Sequence, residues 1–349
     1  METKIVKIDK NNVDKDLISE AVNIIKNSGI VAFPTETVYG LGANGFDESA
    51  IKKIFEAKGR PQDNPLILHV HSMEKVEELV EEVPDIARKC MEEFWPGPLT
   101  ILFRRSNNVP DMITAGLDTV AIRMPEHRIA LELIKMSDVP IAAPSANTSG
   151  RPSPTSADHV IEDLMNKVDM IIDGGDTGIG LESTVLDLSG DSPMILRPGG
   201  VTKEQLQRII PNVTIDSAII KENENIIPKS PGQKYRHYAP KSDMMVFSGD
   251  VEKIVENIVE KTKEYINSGK RVGVICTEET KKFYKDGLII SIGSRQNKET
   301  IAHNLFNTLR SFDEKNVDII LAEGVELSDL GIAIMNRMMK AAAGKVINV

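Results

Sequence analysis

Short β-rich runs and amphipathic helical runs alternate along roughly the first 200 residues of the chain. IVAFP (Ile30–Pro34) reads as a buried strand, and DESAIKKIFEAKG (Asp47–Gly59) as a helix with an N-cap Asp and a closing Gly. PLILHVH (Pro65–His71), LTILF (Leu99–Phe103), TVAIRMP (Thr119–Pro125) and PIAAP (Pro140–Pro144) are further strand candidates, separated by helical patterns such as MEKVEELV and HRIALELIKM. MIIDGG, TVLDL and MILRP then add short strands in close succession. Helices between some strands and none between others predict a mixed α/β sheet, not a purely parallel one. From about Pro211 to Asp243 the rhythm fails, and Pro228, Pro231, Gly232 and Pro240 punctuate a polar segment that reads as a linker. A loop of that length is usually functional or disordered. Beyond it come MMVFSGD, a helix to about Ser268, RVGVICT, a short helix, GLIISIGS, a helix, VDIILAEG and a last helix through Ala343. That alternation predicts a small Rossmann-like parallel α/β sheet, whose Gly249, Gly273 and Gly293 are expected at turns. The expected domains are therefore 1–212 and 244–349, with 213–243 as linker.

The composition, 41% hydrophobic and 27% charged over 349 residues, is that of a soluble globular protein of about two domains. No apolar run reaches the roughly 18–20 residues of a membrane span. METKIVKIDKNN has no apolar core, so no secretory signal is expected and the location is expected to be cytoplasmic. The sequons at Asn147 and Asn212 are then chance matches. Cys90 and Cys276, far apart in apolar surroundings, are expected to be buried free thiols. A net charge of −10 argues against broad nucleic-acid affinity. Against that background SPGQKYRHYAPKS (Ser230–Ser242) is anomalous: Lys234, Arg236, His237 and Lys241 stand there with no acid among them.

Several stretches carry candidate chemistry. GLGANG (Gly40–Gly45) matches a dinucleotide fingerprint, but TETVY separates it from the strand end, where the fingerprint should begin. PTETVYGLGANG as a whole puts Thr35, Glu36, Thr37 and Tyr39 at a sheet edge, either as an ordinary capped turn or as site residues. KGRPQDNPLILHV places Lys58, Arg60 and Asn64 in a stiff turn suited to anions, though paired cations are commonly surface charges. His69 and His71 share one strand face; core packing or substrate contact is favoured over metal ligation, and no side-chain metal site is expected. APSANTSGRPSPTSADHV gathers Ser145, Asn147, Thr148, Ser149, Arg151 and Ser153 in a loop that ends at a helix start. That pattern makes a phosphate cradle or a solvated loop. DGGDTGIGLESTVLDL leads into Ser183, ILRPGG carries Arg197 at a strand end, and the single Trp, in FWPGPLT, is read as packing at a turn.

Taken in order, PTETVYGLG, KGRPQDNPL, FWPGPLT, AIRMP, APSANTSGRPSPT, GLESTV and ILRPG closely resemble the YrdC-like domain of threonylcarbamoyl-AMP synthases. SPGQKYRHYAP followed by a Rossmann-like tail resembles the long two-domain form of that family. The resemblance implies a YrdC-like mixed twisted sheet and a nucleotidyltransferase that makes threonylcarbamoyl-AMP and pyrophosphate from L-threonine, bicarbonate and ATP. Mg2+ would accompany ATP. The product would pass to a tRNA threonylcarbamoyl-transfer complex, for modification of an adenosine next to the anticodon. By the same resemblance the Lys-x-Arg and Ser-x-Asn signature falls on Lys58, Arg60, Ser145 and Asn147 as catalytic residues. ATP contacts fall on Arg60, Asn64, Thr119, Ser145, Ser153 and Arg197, with Tyr235, Arg236 and His237 closing from the linker as a lid. Threonine contacts fall on Thr35, Thr37, His69, Arg123, Ala143 through its backbone, and Ser183. Two other readings are an RNA-binding module and a carbamoyltransferase that also forms a carbamoyl adenylate. Net acidity opposes the first, and two distant cysteines exclude the zinc-binding clusters of the second.

Overall fold

A computed structural model describes residues 2–190, 192–219 and 237–349. The chain divides into two compact units. The first holds the described residues up to Ser149 and those from Ser153 to Ile219; the second holds Gly150–Pro152 and the residues from His237 onward. Among the described residues no helix is long and apolar enough to cross a membrane.

The first unit is built on one mixed sheet. From edge to edge its strands are Lys4–Lys7, Met170–Asp173, Val31–Phe33, Gly40–Asn44, Ile141–Ala142, Ile67–His69, Thr119–Arg123, Leu99–Arg104, Thr184–Asp187, Met194–Arg197 and Thr214–Ile215. Val31–Phe33 pairs antiparallel with Gly40–Asn44, while Ile67–His69 runs parallel to Thr119–Arg123 and Leu99–Arg104 parallel to Thr184–Asp187. The glycine-rich GLGANG is thus largely a strand, not a phosphate loop. MEKVEELV is helical only over Glu74–Glu77, a shorter run than its pattern predicts.

Period-two alternation divides the central strands between two environments. Leu68, Ile101, Phe103, Val120, Ile122 and Leu186 point into the large apolar core. On the opposite face Ile67, Leu102, Ala121 and Val185 form a small apolar patch. By the same alternation His69, Thr100, Thr119 and Arg123 stand on that second face. The sheet therefore buries aliphatic side chains on one side and presents polar ones beside an apolar floor on the other.

The second unit is a parallel sheet in the order Leu288–Ser291, Val272–Cys276, Ile319–Glu323, Asp243–Ser248, Val346–Asn348. Helices Val251–Asn267, Lys298–Glu314 and Leu330–Ala341 accompany it. The last strand, beyond the final helix, is not evident in the polar-flanked sequence KVINV. Gly273 corrects an expectation: it lies inside a strand, where an added Cβ would meet Phe312 at 2.6 Å. Cys90 and Cys276 are free and buried, and burial raises their thiols to about 11 and about 12.

Gly199 marks a close approach of two chain segments. A Cβ there would lie 2.3 Å from the carbonyl oxygen of Glu182 and 2.4 Å from backbone atoms of Ser183 and Thr184. Gly199→Ala is therefore expected to destabilise the protein by about 1–3 kcal/mol, seen as a lower urea midpoint at an unchanged m-value.

Candidate active site

Lys58 is the last residue of the Glu48–Lys58 helix. Asp47 caps its start, accepting from the N–H groups of Ser49 and Ala50, and Gly59 closes it at φ 61°. Only glycine adopts that conformation without penalty. The ordered end aims a lysine that is 2% exposed at the loop following Ile141–Ala142. Its Nζ donates to the carbonyl oxygens of Ser145 and Asn147, the latter at 2.5 Å, and lies 3.4 Å from Asn147 Oδ1. Ser149 N–H returns a bond to the Lys58 carbonyl at 2.8 Å, and Ser145 Oγ donates to Asn147 Oδ1 at 2.6 Å. Gly40 pairs with Ser145, and Ala146 N–H donates to Tyr39 O at 2.8 Å. The Ser-x-Asn loop is thus gripped by a strand on one side and a buried ammonium on the other. Arg60, also buried, donates from Nη2 to Pro65 O at 3.0 Å and Asn64 O at 3.4 Å, which stiffens the proline-rich turn.

Arg123 ends its strand on the polar face of the sheet. Nε donates to Gly97 O at 3.1 Å, Nη1 to Thr37 Oγ1 at 2.9 Å and Nη2 to Glu36 Oε1 at 2.5 Å. Thr37 in turn lies 2.9 Å from Thr35 Oγ1. The PTETVYGLG loop is therefore tied to a strand distant in the sequence. His69, opposite Arg123 in the parallel register, is 4% exposed and meets Phe33 edge-on at 6.5 Å. Burial, reinforced by the Arg123 charge, lowers its pKa to about 3, so the ring is neutral at physiological pH. Burial likewise lowers His127, at the head of the Arg128–Ser137 helix, to about 4 against the opposing charge of Glu36.

A third group forms where Met194–Arg197 meets Thr184–Asp187. Strict alternation would put Arg197 on the core side with Ile195, but the register shifts between them. Such a bulge re-aims a side chain. Arg197 Nε donates to Ser183 O and Nη2 to Ser183 Oγ, each at 3.0 Å. Ser183 Oγ is 2.7 Å from Thr100 Oγ1, which joins this group to the polar face. Ser153 Oγ donates to Glu182 Oε1 at 2.5 Å, and Glu182 is buried.

Eight of the expected residues thus fall into three bonded groups in the first unit, Lys58, Ser145 and Asn147; Thr35, Thr37 and Arg123; Arg197 and Ser183, while Arg60 bonds Asn64 and Ser153 bonds Glu182. Ala143 joins the ladder by donating its N–H to Ile67 O at 3.0 Å. Thr119 stands apart, at the start of the strand that Arg123 ends, about 13 Å along it. His237 belongs to the second unit, its ring 5.6 Å from that of Tyr238. Tyr235 and Arg236 lie outside the described residues. Sequence reasoning placed Glu36 at the sheet edge without a specific role and did not single out Thr100, His127 or Glu182. Glu36 and Glu182 adjoin assigned residues within PTETVYGLG and GLESTV, and that adjacency was the available signal. Among the described residues no group of three or more His, Cys, Asp or Glu side chains is placed to hold a metal ion.

Comparison with known proteins bears on both units. A family model described as "Telomere recombination" matches residues 23–199, and one described as threonylcarbamoyl-AMP synthase, C-terminal domain, matches 201–343. The chain is 49% identical to the threonylcarbamoyl-AMP synthase of Pyrococcus abyssi, over 97% of this chain and 98% of that one. It is 48% identical to the enzyme of that name from Bacillus subtilis, over 97% and 96%. A crystal structure of the Pyrococcus abyssi protein complexed with L-threonine superposes with a TM-score of 0.95 at 48% identity, covering 99% of this chain and 100% of that one.

The depressed histidines set a pH dependence of stability. The folded pKa of His69 lies below its ordinary 6.5, so the unfolded chain binds more protons between the two values. Its contribution is complete above pH 6.5 and is lost as the pH falls toward 3. Unfolding free energy is expected to decline on acidification through this window, by at most about 1.4 kcal/mol per pH unit for this group. Urea titrations at stepped pH should show a flatter decline for His69→Gln.

Proposed function

The chain belongs to the threonylcarbamoyl-AMP synthase family, and from that premise we propose that it condenses L-threonine, bicarbonate and ATP into threonylcarbamoyl-AMP and pyrophosphate. The observation that carries this reading is a set of four buried cations in the first unit, Lys58, Arg60, Arg123 and Arg197, with hydroxyls bonded to Arg123 and Arg197. Anionic substrates are what such a set is suited to bind. The threonine amine is carboxylated, and the carbamate oxygen attacks the α-phosphate of MgATP, displacing pyrophosphate. Nucleotidyl transfer asks for positioning and charge stabilisation, not a protein nucleophile.

In this reading Lys58, Arg60, Asn64, Thr119, Ser145, Asn147, Ser153 and Arg197 serve the nucleotide, and magnesium enters with ATP as part of the substrate. Thr35, Thr37, His69, Arg123, Ala143 and Ser183 serve threonine. The Arg123 fork matches a carboxylate with two oxygens. The relative solved with L-threonine, at 48% identity over nearly the whole chain, supports this assignment of substrate. The adenylate then passes to a tRNA threonylcarbamoyl-transfer complex. The chain itself, at net charge −10, binds tRNA weakly at most and works in the cytoplasm.

Pyrophosphate release from ATP tests the reading: it should require threonine and bicarbonate together, and release without either one refutes it. Losing a charge-assisted contact is worth roughly 1.5–3 kcal/mol. Arg123→Ala is accordingly expected to lower kcat/KM for threonine by about 10–150-fold, measured at saturating ATP.

A further inference from the structure

The ion pair between Arg123 and Glu36 leaves half of a buried carboxylate unused. Glu36 is 9% exposed; its Oε1 accepts from Arg123, while Oε2 is buried and meets no donor among the described residues. A buried acceptor without a partner is costly and calls for an explanation. Neighbouring nitrogens do not supply one. Nε and Nη1 of Arg123 are directed to Gly97 and Thr37. His127 faces Glu36 electrostatically, yet its ring is neutral and its own Nδ1 is also buried without a partner.

Among the described residues no donor reaches Oε2, which leaves it open to a group arriving from solvent. Beside it is a guanidinium, the group that matches a carboxylate. An ion pair with one free carboxylate oxygen complements an α-amino acid zwitterion, with carboxylate to Arg123 and ammonium to Glu36. We propose that Glu36 is a catalytic residue of this site, whose free Oε2 receives the ammonium of the amino-acid substrate and takes one proton from it. This deepens the threonylcarbamoyl-AMP reading above and rests on it.

The step is a proton transfer followed by addition. One N–H bond of the ammonium breaks, its electron pair stays on nitrogen, and an O–H bond forms on Oε2. The nitrogen lone pair then attacks the carbon of bicarbonate. A C–N bond forms, and the hydroxyl departs with one amine proton as water, leaving the carbamate. The proton on Glu36 returns to solvent when product leaves. Near neutral pH a free amino acid is mostly ammonium and has no lone pair to attack with, so a base within the pocket removes a real barrier. The incoming carboxylate competes with Glu36 for Arg123 and loosens the ion pair as the ammonium arrives. The other charged or titratable groups around this position are His69 on its strand and His127 at its helix head, the latter also facing Lys10.

The test is the pH profile of threonine-dependent pyrophosphate release in wild type, Glu36→Gln and Glu36→Asp. Glu36→Gln should fall about 100-fold at the acidic end, the usual scale of a lost general base. It should recover by about tenfold per pH unit as free amine accumulates. Glu36→Asp, which keeps the carboxylate, should retain the wild-type profile with a higher KM for threonine. A Glu36→Gln enzyme within about threefold of wild type, or one with the same deficit at every pH, overturns the proposal. A measurement on the wild type guards against a variant that does not fold: calorimetric affinity for L-threonine against 2,3-dihydroxybutanoate, which has the carboxylate and lacks the ammonium. The analogue should bind at least about tenfold more weakly, and equal affinity overturns the assignment. If wild type releases no pyrophosphate in response to threonine and bicarbonate, the underlying reading fails, a result distinct from failure of the Glu36 role alone.

Discussion

A guanidinium cannot be buried bare, and the organisation of the site follows from how Arg123 is satisfied. Leaving a buried charge unpaired costs several kcal/mol, on the order of 3–5 when a partner is removed. The partners come from separate stretches: a carbonyl at Gly97, a hydroxyl at Thr37 and a carboxylate at Glu36. Each is held by its own surroundings. Trp95 Nε1 donates to Leu99 O at 2.7 Å and fixes the turn carrying Gly97. Thr35 Oγ1 donates to Val38 O at 2.7 Å and closes the turn carrying Glu36 and Thr37. The three sequence motifs FWPGPLT, PTETVYGLG and AIRMP are in this sense one structural unit, and their joint presence follows from a shared electrostatic requirement.

The same logic repeats at Lys58 with a different set of partners. Its ammonium is met by backbone carbonyls of the Ser145–Asn147 loop, which are neutral. Backbone carbonyls solvate the positive charge there, whereas at Arg123 a carboxylate pairs with it. Ion pairing instead creates a dipole, which suits a ligand that is itself dipolar. Under the proposed function the first group would meet nucleotide phosphates and the second a zwitterion.

The fold was legible from the sequence wherever burial imposed a simple period. Asp47 and Gly59 delimit their helix as expected, because an N-cap carboxylate and a left-handed glycine are local devices. The mixed sheet was legible because connections without helices imply antiparallel neighbours. Strands Gly40–Asn44 and Val346–Asn348 were not legible: one is glycine-rich and the other short and partly exposed, so neither shows an apolar alternation. At the site, charged residues in stiff turns were identifiable by type, and resemblance supplied their roles. Their burial was not identifiable, since adjacent cations such as Lys58 and Arg60 are more often surface groups. Nor was the side chain direction of Arg197, which a register shift turns away from the core face. Glu36 was visible in its motif, but its special state depends on a three-dimensional fact, that no donor among the described residues reaches Oε2.

The neutral histidines complete the electrostatic argument. His69 stands opposite Arg123 in register, where a second positive charge would be repelled, and burial already disfavours its protonation. The ring therefore contributes shape and a hydrogen-bonding edge without adding charge. Were it charged, it would compete with Arg123 for any carboxylate arriving from solvent and draw Glu36 toward itself. Keeping it neutral adds no further cation beside Arg123. On the polar face of the sheet Arg123 is thus opposed by one carboxylate, Glu36, while the buried histidines His69 and His127 are held in uncharged forms.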